Sequence, residues 1–205
     1  MKKLLMLVMI AVLALSVAAC NSGSTNNANG SGGKSTAKNE QSKSDNASSK
    51  KKEMSMLMDW EMSMLGPIHN TVDPFNTLTD IAGDKKKTDW ADGDKEQIQQ
   101  LVPGAVKAGN SFDKKVKDVK VPSGLPKADQ KKIKSAVKDL TAYFEAKGKA
   151  VKDLKNVSSF KDYKAKVKAM NQAGMKEFNS FVSTVKSLEK KAGFDKPNGL
   201  KGEFK

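Results

Sequence analysis

The chain contains no arginine, one cysteine and one histidine among its 205 residues. A single cysteine excludes a fold built on disulfide bonds. Arginine is the side chain that reads bases and clamps phosphates bidentately, so its absence argues against nucleic-acid recognition. Most nucleophile–base triads, zinc motifs of the HExxH type and glycine-rich phosphate loops are missing as well. We therefore expect a protein that is not an enzyme and uses no cofactor.

Long apolar runs are also scarce, and the one present lies at the N-terminus. Leu4 to Leu15 follows a positively charged start. It is shorter than the roughly 20 apolar residues that a membrane-spanning helix needs, and it has the form of a secretory signal. Residues 17–20, with the sequence VAAC, resemble the bacterial lipobox. The resemblance implies a lipoprotein signal peptide over residues 1–19 and lipidation of Cys20.

This resemblance also implies a location. Two acyl chains, such as palmitate, anchor a protein stably, whereas one chain binds only marginally. A lipidated Cys20 would place the protein on the extracytoplasmic face of the cell membrane, as a lipoprotein of the kind that Gram-positive cells carry. The alternative is ordinary signal cleavage that leaves Cys20 as a free thiol.

The segment after the cysteine has no aromatic residue and no Leu, Ile, Val or Met from Asn21 to Lys52. Such a segment buries too little apolar surface to offset the entropy lost on ordering. Residues 20–52 are therefore predicted to be a disordered tether. Thirty-two residues of this kind have a root-mean-square span of about 30 Å.

Charge is distributed unevenly in the remaining chain. Residues 53–96 hold 10 acidic residues and 4 lysines, whereas residues 97–205 hold 11 acidic residues and 25 lysines. Outside a membrane, this excess of lysine favours attraction to anionic lipid head groups, to anionic cell-wall polymers or to an envelope protein. Lysines that only solvate helix faces would give the same composition.

Apolar residues recur every three or four positions from residue 53 onward, and no segment alternates with a period of two. The pattern predicts an all-α domain over 53–205, a bundle of three long helices preceded by a kinked or split N-terminal helix. We expect breaks or kinks at Gly66–Pro67 and Pro103–Gly104. The clearest stripe predicts one helix of about eight turns. Its members are Phe160, Tyr163, Val167, Met170, Gly174, Phe178, Phe181, Val185 and Leu188.

Helix ends are also readable. Ser159 with Asp162 predicts a capped start for the last helix, and Gly193 predicts its end. Residues 193–205 are expected to be a flexible tail. Asp94 is the expected N-cap of the second helical segment.

The most unusual local feature is a methionine-rich segment, residues 54–64, with five methionines. Three interpretations are open: adaptable core packing, a groove for a partner, or a Cu(I) site. In the last, Met54, Met58 and Met62 share a helix face, and His69 adds a nitrogen. Glu61 falls within the apolar arc of this helix and is expected to pair with a lysine.

Acidic residues crowd the loop before the second helical segment: Asp84, Asp89, Asp92, Asp94 and Glu96. Calcium prefers such oxygen ligands, but the spacing does not match an EF-hand, so a solvated loop is the main expectation. Taken together, the sequence predicts a lipid-anchored, non-enzymatic binding or interaction module of the cell envelope. The alternative is a Cu(I)-binding lipoprotein.

Overall fold

A computed structural model describes residues 38–83 and 88–204, with side chains described from residue 48 onward. The predicted signal peptide, Cys20 and most of the predicted tether lie outside this part of the chain. The helices are α1 Lys38–Gly83, α2 Asp94–Asn110, α3 Phe112–Val116, α4 Lys127–Ala150, α5 Phe160–Gln172 and α6 Met175–Ala192. The 3₁₀ helices are Val151–Asn156 and Lys201–Phe204.

The described residues form helices and no strands, which confirms the all-α prediction. Apolar faces of α1, α2, α4, α5 and α6 meet in one core. The largest fully buried side chains in that core include Trp60, Phe75, Phe112, Phe144 and Tyr163. Helix α4 is central, since it packs against both α2 and α6. None of the helices in the described ranges combines the length and apolar character needed to cross a membrane.

Helix α1 is longer and more continuous than its sequence suggests. It begins at Lys38, within the segment predicted to be a tether, and runs through Pro67 and Pro74. A proline at 74 cannot donate to the carbonyl of Asn70, and Lys115 Nζ donates to that oxygen instead, at 2.9 Å. Lys115 thereby satisfies the carbonyl that Pro74 leaves without a helix partner, whereas the break predicted at Gly66–Pro67 does not occur. The pKa of Lys115 is lowered by burial.

The single C-terminal helix predicted from the apolar stripe is wrong: the structure has two helices, α5 and α6. The break falls at Gly174, whose φ of 71° is left-handed. A Cβ at this position would lie 2.8 Å from Tyr143 Cα, so the turn packs directly on the backbone of α4. Both helices face the core, and for this reason the stripe continues unbroken through the turn.

The second helical segment also breaks at an unexpected place. Helix α2 continues through Pro103 and ends at Asn110, and α3 begins at Phe112. Just before this break, α2 touches α4 backbone to backbone. A Cβ at Gly109 would lie 2.5 Å from the carbonyl oxygen of Phe144 and 2.9 Å from the Cα of Gly148. Only glycine allows this close crossing.

Two other predicted helix ends, at Ser159 and Gly193, are confirmed, and a third, the N-cap at Asp94, is off by one residue. The Ser159 side chain accepts a hydrogen bond from the Asp162 backbone N–H at 3.1 Å, and Gly193 ends α6 with a left-handed φ of 93°. Gly93, rather than Asp94, is the N-cap of α2, and Asp94 is its first residue. Asp94 instead accepts a hydrogen bond from the Ala91 N–H at 2.8 Å.

Residues 193–204, here called the C-terminal segment, pack against the bundle although the sequence suggests a flexible tail. Leu200 is buried, and the Phe204 ring centroid lies 4.9 Å from that of Phe178 and 6.1 Å from that of Phe181. The segment thus forms part of the core boundary. It also covers one side of the site described next.

Candidate functional site

The structure separates the residues predicted to bind Cu(I). Met54 is partly buried and packs against the core, whereas Met58 and Met62 are 48 % and 66 % exposed. Each four-residue step along a helix rotates the side chain by about 40°, so three such positions do not share one direction. His69 Nε2 lies 2.8 Å from Glu203 Oε2. The four residues therefore do not converge on one point.

Met58 and Met62 line a groove of about 220 Å³ between α1, α6 and the C-terminal segment. We call it the acidic groove. Its polar members include three glutamates and one lysine, whereas wider clefts of about 430 and 520 Å³ elsewhere hold balanced charges. Its apolar members are Met58, Met62, Leu65, Phe194 and Leu200; its polar members are Glu61, Glu189, Lys196, Asn198 and Glu203.

Two carboxyl groups, from Glu61 of α1 and Glu189 of α6, meet at this groove. Glu189 is only 2 % exposed, and its oxygens accept the Gly199 N–H at 2.8 and 3.0 Å. Glu61 Oε1 is shielded from solvent and has no hydrogen-bond partner. The lysine partner predicted for Glu61 is therefore replaced by a second carboxyl group.

Burial is the main reason that the pKa of Glu61 is raised to about 8, and the charge and hydrogen bond of Glu189 raise it further. Two carboxylates placed together cannot both ionise cheaply. Near neutral pH the raised pKa therefore keeps the Glu61 carboxyl group protonated. The groove combines an apolar surface with a partly neutralised acidic site.

A second buried ionisable group lies in the centre of the bundle. Lys147 of α4 is 8 % exposed, and burial lowers its pKa to about 8. Its Nζ lies 5.1 Å from the Phe75 ring centroid and 5.4 Å from that of Tyr143, and 3.4 Å from Asn171 Oδ1. Burial also raises the pKa of Tyr143 to about 12. This site is enclosed by aromatic rings and has no groove of its own among the clefts described above.

The acidic loop has a structural role in the part that the structure describes; Asp84 lies outside it. Asp89 Oδ1 accepts the Trp90 backbone N–H at 2.8 Å. The Trp90 ring packs 5.2 Å from Phe160 and 5.4 Å from Tyr163, measured between centroids. In the described ranges, no three His, Cys, Asp or Glu side chains are grouped so that they could hold a metal ion.

Sequence reasoning missed Glu189, Glu203 and Lys147. Glu189 follows Val185 by four residues, so it lies at the edge of the apolar face of α6. Lys147 follows Phe144 by three residues and precedes Val151 by four, a position within the apolar stripe of α4. A charged residue at a stripe position was the available signal for both. Glu203 had none, because its segment was expected to be flexible.

Comparisons with protein-family models, with curated proteins and with solved structures give no match for this chain.

Proposed function

We propose that the protein is a lipid-anchored lipoprotein of the extracytoplasmic membrane face whose helical domain is a non-enzymatic binding module, with the acidic groove as its binding site. The lipobox-like residues 17–20 support the anchor. The observation that carries the binding site is the unpartnered Oε1 of Glu61, beside Glu189 in an apolar groove. A buried carboxyl oxygen without a partner is a costly arrangement that a ligand donor would relieve.

The chemistry of the groove favours a primary ammonium group on a short apolar body. The carboxyl pair supplies acceptors and negative charge for the ammonium. Met58, Met62 and Phe194 supply an apolar surface that adapts to a flexible chain. The exposed lysines elsewhere on the domain would keep it close to anionic polymers or head groups, while the acidic groove selects cations.

A calorimetric titration with n-hexylammonium chloride tests the binding site. We expect weak, saturable one-to-one binding, and much weaker binding of n-hexanol, which has the same apolar body without the charge. Glu61→Gln and Glu189→Gln should each weaken ammonium binding. Glu145→Gln, in the 430 Å³ cleft, is the matched control and should change nothing. Equal affinity for amine and alcohol would contradict the assignment.

Membrane fractionation tests the anchor. Cys20→Ala removes the only thiol available for lipidation, so we expect the variant to stall as uncleaved precursor or to leave the membrane fraction. Ser22→Ala is the control and should fractionate as wild type does. A Cys20→Ala protein that is still cleaved and equally membrane-bound would refute the lipoprotein assignment.

A further inference from the structure

The C-terminal segment is held on the bundle at three points. The Gly199 N–H donates to the Glu189 carboxylate, the Glu203 carboxylate bonds His69, and the Phe204 ring packs among the core aromatics. Two of these three anchors are carboxylates that line the acidic groove. The attachment of the segment and the charge of the groove are therefore coupled.

The closed segment also has a strained backbone. Gly199 and Leu200 are consecutive left-handed residues, with φ of 64° and 59°. This conformation suits glycine but is disfavoured for leucine because of its Cβ. At Gly199 a Cβ would lie 2.3 Å from the carbonyl oxygen of Val182, so the fit against α6 is tight. Release of the segment would relieve the strain at Leu200.

The proton on the Glu61–Glu189 pair determines the charge beneath this segment. The other charged groups that line the groove are Lys196 and Glu203, both from the segment itself. When the pair loses its proton, three carboxylates face one lysine. Hydration of the pair is then favoured, and the segment bonded to Glu189 stands between the pair and water.

We propose that the C-terminal segment is a proton-controlled strap: the proton on Glu61 keeps it closed over the acidic groove, and loss of that proton releases it. The strap does not require the groove to bind anything. Its consequence, that opening changes ligand access, rests on the proposed function.

The pH dependence follows from linkage. In the closed form the pKa of Glu61 is about 8, and in an open, hydrated form it falls toward the ordinary value. The closed form therefore holds more protons in the interval between these values. Opening should become more favourable as pH rises up to 8, by at most about tenfold per pH unit for one proton, and should level off above 8.

Hydrogen–deuterium exchange with mass spectrometry tests this on the lipidated full chain in detergent micelles, without ligand, from pH 5.5 to 8.5. Peptides from residues 194–204 report the strap, and peptides from α4 report global opening. After correction for intrinsic exchange, we expect protection of the strap to fall several-fold per pH unit while α4 remains protected. A strap whose protection does not fall with pH overturns the proposal, because Glu61 then titrates without moving it.

Glu61→Gln is the decisive variant, because it keeps the size of the side chain but cannot lose a proton. Its strap should show no pH dependence, and Glu145→Gln should behave as wild type. If Glu61→Gln loses helicity, Glu61→Leu replaces it: this side chain also has no proton to lose, it leaves the Gly199 hydrogen bonds to Glu189 in place, and the pH slope should be lost. If a folded variant keeps the pH dependence of protection in residues 194–204, the strap proposal is overturned. Failure of n-hexylammonium binding with a normal slope overturns only the binding site.

Discussion

Two of the regions that bury ionisable groups, the acidic groove and the surroundings of Lys147, have opposite chemistry. At the acidic groove, Glu61 faces a second carboxyl group although the chain has 37 lysines. In the centre of the bundle, Lys147 faces rings and an amide among its described partners, and no carboxylate. In both regions burial shifts the pKa toward the neutral form instead of creating an ion pair. Abundant lysine in a sequence therefore does not place a lysine beside every buried carboxyl group: Asp129 pairs with Lys191, whereas Glu61 faces Glu189.

The two regions should bias stability in opposite directions with pH. The pKa of Glu61 rises from 4.5 to about 8 on folding, so the folded state binds more protons in that interval and stability falls as pH increases through it. The pKa of Lys147 falls from 10.5 to about 8, so the unfolded state binds more protons between these values and stability rises with pH. The summed contribution of these two groups to the free energy of unfolding therefore has a minimum near pH 8.

The largest expected effect comes from removing a ring that packs against the two rings beside Lys147: the Phe144 centroid lies 5.0 Å from that of Tyr143 and 6.5 Å from that of Phe75. Phe144 is fully buried, and its ring centroid lies 4.6 Å from that of Phe112. Phe144→Ala should cost about 3–5 kcal/mol of unfolding free energy, measured by urea denaturation at pH 7. Water that enters the cavity left by the ring should also raise the pKa of Lys147, so the increase of stability above pH 8 should become smaller. A loss below about 1 kcal/mol would show that this region is loosely packed.

A smaller effect is expected from Lys147→Met, which keeps an unbranched side chain but removes the amine. At pH 7 the folded state carries a buried charge that the variant lacks, so the variant should be more stable by about 2 kcal/mol. The rise in stability between pH 8 and 10.5 should disappear. Lys149→Met, exposed on the same helix, is the control. A destabilised Lys147→Met would mean that contacts of the ammonium with the rings outweigh its desolvation.

The smallest effect is expected from Glu61→Gln, because this carboxyl is only partly buried and solvent screens its interactions. Because of this screening, Glu61→Gln should raise the free energy of unfolding by only about 1–2 kcal/mol at pH 8 and leave it unchanged near pH 4. Urea denaturation at a series of pH values from 4 to 8 checks this. The decrease in the free energy of unfolding over this interval should be lost in Glu61→Gln and should persist in Lys147→Met. If both variants keep the decrease in stability below pH 8 and the increase above it, then neither Glu61 nor Lys147 causes the pH dependence.

The sequence predicts helix faces well, because burial of one face of a helix requires apolar residues every three or four positions. The stripe from Phe160 to Leu188 marks core positions correctly, and Ser159 and Gly193 mark helix ends through their own local chemistry. The turn at Gly174 could not be predicted from this pattern, because the apolar recurrence continues through it. Periodicity records which side faces the core, and it is unaffected when two successive helices face the same core.

The candidate site was harder to predict because its parts come from distant segments. Glu61 was flagged by its place on an apolar arc, but its partner depends on how α6 docks, which no local pattern encodes. The strap was missed since its closure depends on the left-handed Leu200 and on the fit of Gly199 against Val182. The hydrogen bond from Lys115 to the Asn70 carbonyl, which Pro74 leaves without a helix partner, is likewise a tertiary contact that no local pattern encodes.

The crossing of α2 and α4 has a consequence for the ancestry of this fold. At Gly109 a Cβ would lie 2.5 Å from the carbonyl oxygen of Phe144, a backbone atom, so no change of side chain elsewhere in the core can make room for it. Apolar neighbours can exchange size among themselves over evolutionary time, whereas Gly109 cannot. Diverged relatives would therefore retain a glycine at the position of Gly109, in an amphipathic helix and 39 residues before the position of Gly148, long after most of the sequence has changed.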